Sequence, residues 1–124
     1  MTNYWIVGAT VSGQDMTRWF TKYGFWFGDK DTAQDDIAKI KKGDRIAIKR
    51  MRGRGAKTVS IKAVGVVEDT AQFNAMQFPM IFVKWISLED EDKQVPFSAL
   101  GGTIHGPYDE TNQLVKSVFT LCKS

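Results

Sequence analysis

Apolar residues recur along this chain in two rhythms, one of alternating residues and one of helical spacing. Tyr4 to Ala9 is a compact apolar and aromatic run, which predicts a buried strand. Thr10 to Gly13 reads as a turn. Gln14 to Tyr23 predicts a short helix with Trp19, Phe20 and Tyr23 on one side, and Gly24 stands where a left-handed residue ends a helix. Phe25-Trp26-Phe27-Gly28 is aromatic and then breaks. Asp31 or Thr32 caps a second predicted helix through Ile40, in which Ala33, Ile37 and Ile40 repeat at helical spacing.

Beyond Gly43-Asp44, a predicted turn, the alternating rhythm takes over. Arg45 to Arg50 predicts a strand with Ile46 and Ile48 between polar or small neighbours. Met51 to Lys57 reads as a hairpin loop in which Gly53 and Gly55 free the backbone, and Thr58 to Glu68 as the returning strand. Asp69 to Phe78 is a longer connection. Pro79 to Leu88 is another strand, Gln94 to Pro96 a short one, and Gly101-Gly102 and Gly106-Pro107 are turns. Asp109 caps a last helix through Leu121, with Leu114, Val115, Val118, Phe119 and Leu121 on one stripe. Sequential strands joined by hairpins, with short helices before and after, predict an α+β fold: a small curved mixed or antiparallel β-barrel with flanking helices. The alternating pattern of a dinucleotide-binding domain is missing.

Length changes the picture little. The chain of 124 residues supports one domain, residues 1–124, with a single sizeable core. No apolar run approaches the roughly 20 residues that span a bilayer, and no leader pattern opens the chain, so the expectation is a cytoplasmic protein without a membrane partner.

Charge changes it more. The net charge is +3, yet the window from Lys39 to Lys62 holds ten basic residues against the one acid Asp44, or +9, which leaves −6 for the rest. That asymmetry fits an anionic partner for one face, and it equally fits a solvated loop. Arg52-Gly53-Arg54-Gly55-Ala56-Lys57-Thr58 superficially resembles a phosphate loop. It lacks the Gly before Lys, however, and leads into a strand rather than a helix. A basic glycine-rich hairpin still grips phosphates through guanidinium pairs and backbone amides.

Catalytic and metal chemistry finds little footing. His105 is the lone imidazole and Cys122 the lone thiol, which excludes a structural zinc site; His105 reads as a turn residue and Cys122 as a packing residue. Glu89-Asp90-Glu91-Asp92 lacks the spaced oxygen ligands of a calcium loop. No metal or other cofactor is expected. The aromatics are more informative. Trp5 and Trp19 read as core, and Trp85 as core or pocket floor. Trp26 lies between a helix end and Gly28, beside a basic surface, a combination that stacks bases; core packing is the competing reading.

The order of these features resembles the PUA-like superfamily and, within it, the EVE domain. The residues that carry the resemblance are Trp5 to Ala9, Gly24 to Trp26, Gly43 to Lys49 (Gly-Asp-Arg-Ile-Ala-Ile-Lys) and Val59 to Gly65. These stretches are similar to EVE-like domains at the N-terminus of McrB-type restriction motors. Val83-Lys84-Trp85-Ile86 followed by Val95-Pro96-Phe97 also resembles the related YTH readers of methylated adenine.

The resemblance implies a reader of modified, methylated bases in DNA or RNA, which flips the base into an aromatic cage. Carried over by position, Trp26 is the cage wall and Phe25 its support. Phe73 or Phe78 supplies a second wall, and Ser12 and Gln14 hydrogen-bond a base edge. Lys49, Arg50, Arg52, Arg54 and Lys57 contact phosphates. Stacking returns roughly 1–3 kcal/mol per aromatic contact against a few kcal/mol for extrusion. Such a module is not an enzyme, and any effector is a separate protein. The alternatives are a metal-independent ribonuclease, as some related PUA-like (ASCH) domains are, using Lys49, Arg50 and Tyr108, and an interaction subunit whose basic face docks an acidic protein.

Overall fold

The two strands with the strongest apolar signal lie side by side. In the computed structural model, which describes residues 2–28, 34–51, 55, 57–71, 79–88, 93–96 and 104–119, β1 (Tyr4–Gly8) runs parallel to β5 (Arg45–Met51). Trp5 pairs with Ile46 and Val7 with Ile48 on one face; Ile6 pairs with Ala47 on the other. All six are fully buried, because both faces of this strand pair are covered. Burying one such aliphatic side chain is worth about 1.5–3 kcal/mol.

The remaining strands are added antiparallel. β6 (Thr58–Ala71) pairs with β5 and then with β7 (Met80–Ser87); its first three residues also pair with β8 (Gln94–Pro96). The two-residue β4 (Phe25–Trp26) pairs with β7, and β9 (Ile104–Tyr108) with β1. The order β4-β7-β6-β5-β1-β9 makes a mixed α+β sheet, as the pattern predicts. Among the described residues the sheet is open rather than closed into a barrel, its path ending at β4 and β9. Those ends suit edges: β4 is two residues long, and Pro107 in β9 has no N–H to offer a further strand. Register shifts after Ile48 and after Val67 bend the strands without closing them.

Helices cover both faces. Phe20 of α1 (Thr17–Tyr23) and Ile37 of α2 (Gln34–Ile37) join the core that holds Trp5, Ile46 and Ile48. Val118 of α3 (Gln113–Phe119) joins the core that holds Ile6, Ala47 and Ile61. Gly65 sits where β6 crosses β7 closely; a Cβ there would lie 2.6 Å from Val83 Cγ1 and 2.7 Å from the Lys84 carbonyl oxygen.

Three expectations are corrected. α1 starts at Thr17 rather than Gln14, because Thr10–Val11 (β2) and Gln14–Asp15 (β3) form a small hairpin. Ser12 and Gly13, at φ 51° and 81°, make its two-residue turn. α3 starts at Gln113, capped by Asn112, whose side-chain oxygen accepts from the Leu114 and Val115 amides at 2.8 and 3.2 Å. Asp109 instead closes its own turn on Thr111. Gly106-Pro107 lies inside edge strand β9 instead of a turn, packed so tightly that a Cβ on Gly106 would meet the Trp5 ring at 2.7 Å. Gly24 does end α1 in the left-handed conformation, its amide donating to the Phe20 carbonyl at 2.9 Å.

Candidate nucleic-acid interface

Asp15 joins the first hairpin, α1 and β5 at one point. Its Oδ1 accepts hydrogen bonds from the Thr17 amide at 2.9 Å and the Thr17 hydroxyl at 2.6 Å, which fixes the start of α1. Its Oδ2 lies 2.9 Å from Arg50 Nε, on the outer end of β5. Partial burial pushes the Asp15 carboxyl up. The Thr17 hydrogen bonds and the Arg50 charge outweigh that and hold it below the usual carboxylate range. Asp15 is therefore ionised at neutral pH and occupies one edge of the Arg50 guanidinium. A recess of about 400 Å³ opens beside the pair, lined by Asp15, Arg18, Thr21 and Arg50.

Strand geometry separates the expected phosphate contacts. Arg50 and Lys57 are exposed, as a phosphate grip requires. Lys49 is 5% exposed. Past the register shift, Lys49 pairs with Ile61, Arg50 with Ser60 and Met51 with Val59, so Lys49 and Arg50 project to opposite faces of the sheet. The Lys49 ammonium has Met51 Sδ at 3.9 Å as its hydrogen-bond partner, and burial pushes its pKa below the ordinary lysine range. Lys49 thus belongs to the buried face of β5 and not to the exposed basic surface. Arg52 and Arg54 lie outside the described residues.

The aromatic assignments divide in the same way. Trp26 is not in a loop: it is half of β4, paired with Ile81 and fully buried, and its indole N–H donates to the Gly8 carbonyl at 2.9 Å. That carbonyl lies one residue before Ala9, whose own carbonyl accepts from the Met16 amide at 2.8 Å and so closes the base of the β2–β3 hairpin. Phe25 is half-buried, stacked nearly parallel on Phe27 at 6.0 Å and edge-on to Phe20 at 5.4 Å. Phe73 and Phe78 lie outside the described residues. Ser12 and Gln14 are exposed at the hairpin turn, on the same small sheet as Asp15.

No protein-family model matches the chain, and no curated protein matches it. The likeness to the EVE domain therefore rests on the quoted motifs alone. Among the described residues, no group of three or more His, Cys, Asp or Glu side chains is placed to hold a metal ion, and no helix is long and apolar enough to cross a membrane.

Two site residues escaped the sequence reading. Arg18 and Thr21 lie outside the basic window, and the fold brings them to Arg50 at the recess. The available signal was the spacing of Arg18, Thr21 and Lys22 around buried Phe20. Asp44 was read only as a turn residue. It is 3% exposed, and its carboxylate accepts from Trp5 Nε1 at 2.9 Å, the Lys41 amide at 3.0 Å and the Asn3 amide at 3.2 Å. The most specific motif of the resemblance is thereby tied to the aromatic first strand by a structural bond.

Proposed function

We propose that this chain is a non-catalytic nucleic-acid-binding module that reads a modified, methylated base, with a basic surface holding the backbone. The observation that carries the binding part is the recess where Arg18 and Arg50 share one opening, at the end of the strand that precedes the basic sequence 52–57. A phosphate oxygen entering there replaces Asp15 as the partner of Arg50, exchanging one charge-assisted hydrogen bond for another. The base-reading part rests on the resemblance to EVE and YTH domains. Trp26 is fully buried, so a base stacks on it only when a neighbouring segment shifts. The Trp26 indole N–H is bonded to Gly8, the residue before the base of the β2–β3 hairpin, which makes that hairpin the candidate to move.

The ribonuclease alternative asks Lys49 and Arg50 to surround one phosphodiester. Their projection to opposite faces favours binding over that chemistry. Arg50→Ala is the direct test. It is expected to weaken binding of plain and modified oligonucleotides alike and to reduce the log–log salt slope by about one phosphate. Unchanged affinity and slope would remove Arg50 from the interface.

A further inference from the structure

α1 has one face committed to the core and another that the core does not use. Phe20 and Thr17 are buried, whereas Arg18, Lys22 and Tyr23 are exposed and Trp19 is half-buried. Arg18 and Lys22 follow one another four residues apart, as do Trp19 and Tyr23, so each pair forms a stripe with about 6 Å between members along the axis. Each ring carries its neighbour's cation: Arg18 Cζ lies 5.4 Å from the Trp19 ring centroid and Lys22 Nζ 5.3 Å from that of Tyr23. Tyr23 is 62% exposed. A single exposed tyrosine is ordinary. Here two aromatic–cation pairs lie one turn apart, and the cation of the first, Arg18, lines the recess that contains Arg50.

We infer that this face of α1 is a stacking platform for a single-stranded stretch of nucleic acid flanking the bound site. The inference rests on the nucleic-acid reading above and names the form of the ligand. The backbone runs from Arg50 past Arg18 to Lys22, and a base lies on the Tyr23 ring. Charge favours this occupant. The charged side chains of α1 and of the recess lining are Arg18, Lys22 and Arg50 with the carboxylate of Asp15, which is bonded to Arg50 and Thr17. The rings decide between strand forms, because only an unpaired base presents its face to a side chain, whereas a duplex keeps its bases stacked on each other.

The test is fluorescence anisotropy of the whole chain with a labelled single strand of about 12 nucleotides and with the duplex of the same sequence. Wild type is expected to prefer the single strand. Tyr23→Ala weakens that binding by about 5- to 20-fold, Tyr23→Phe keeps it because the ring remains, and both variants melt with the wild type. Lys22→Ala lowers the salt slope by about one phosphate. If Tyr23→Ala binds the single strand as wild type does while Arg50→Ala loses affinity, the platform is overturned and the nucleic-acid reading stands. A duplex preference that is indifferent to Tyr23 also overturns the platform. If wild type binds neither oligonucleotide but an acidic protein instead, both readings fall.

Discussion

Lys49 and Arg50 are adjacent cations with opposite environments, and the strand period is the reason. Arg50 faces solvent and Asp15; Lys49 faces the interior with a thioether as its partner. Replacing Lys49 by Met keeps the shape and removes an ammonium from an apolar surround. Lys49→Met is therefore expected to leave stability unchanged or raise it by about 1 kcal/mol at neutral pH. The pH dependence has a definite sign. The folded state binds the Lys49 proton less readily than the unfolded state, so the cost of the buried charge shrinks as pH rises from the lowered value toward the ordinary lysine value of about 10.4. The gap between Lys49→Met and wild type is predicted to narrow over that range, measured by urea denaturation at several pH values. A gap that widened with pH would contradict the burial argument. Counting charges along the sequence could not separate Lys49 from Arg50. Alternation puts Lys49 on the Ala47 face of β5 and Arg50 on the Ile48 face, and which face is covered at that point depends on the strands and helices packed there.

At the scale of elements, most strands were legible because their apolar runs are strong. Tyr4–Gly8, Arg45–Met51, Met80–Ser87 and Gln94–Pro96 fall where the pattern puts them. The misplaced boundaries share a cause: a polar side chain bonded locally in a way that spacing does not reveal. Asp15 closes a local turn on Thr17 just ahead of α1 and leaves Gln14 to the hairpin, and Asn112 rather than Asp109 starts α3. Trp26 lies in a strand rather than the expected loop, and a two-residue strand has no periodicity to recognise. The Gly43-Asp44 turn is the element whose chemistry matters most for the fold. Asp44→Ala strands the Trp5 indole N–H and the Asn3 and Lys41 amides at once. It is expected to cost about 2–4 kcal/mol, seen as a lower urea midpoint at constant slope, with Asp44→Asn losing less because one acceptor oxygen remains. An unfolding free energy within about 0.5 kcal/mol of wild type, as for an ordinary surface substitution, would show that the bonds to Asp44 do not hold the turn.

At the scale of the molecule, the large mixed sheet, open among the described residues, separates two apolar cores, with α1 and α2 on one face and α3 on the other. The +9 window that stood out in the sequence does not stay together on this frame. Lys49 turns inward, Arg50 joins Asp15 and α1 at the recess, and Arg18 enters from outside the window. The basic surface is thus assembled by topology rather than by chain order, which is why a sequence window located only part of it. The central claim is that this surface binds nucleic acid and that a modified base adds selectivity. The most direct measurement is the affinity of the whole chain for matched methylated and plain oligonucleotides across a range of salt. The account predicts affinity that falls steeply, with a log–log slope of about −0.7 to −0.9 per phosphate neutralised, and a preference for the methylated strand that persists at high salt. Binding with no salt dependence, or equal affinity for both strands at every salt concentration, would contradict it.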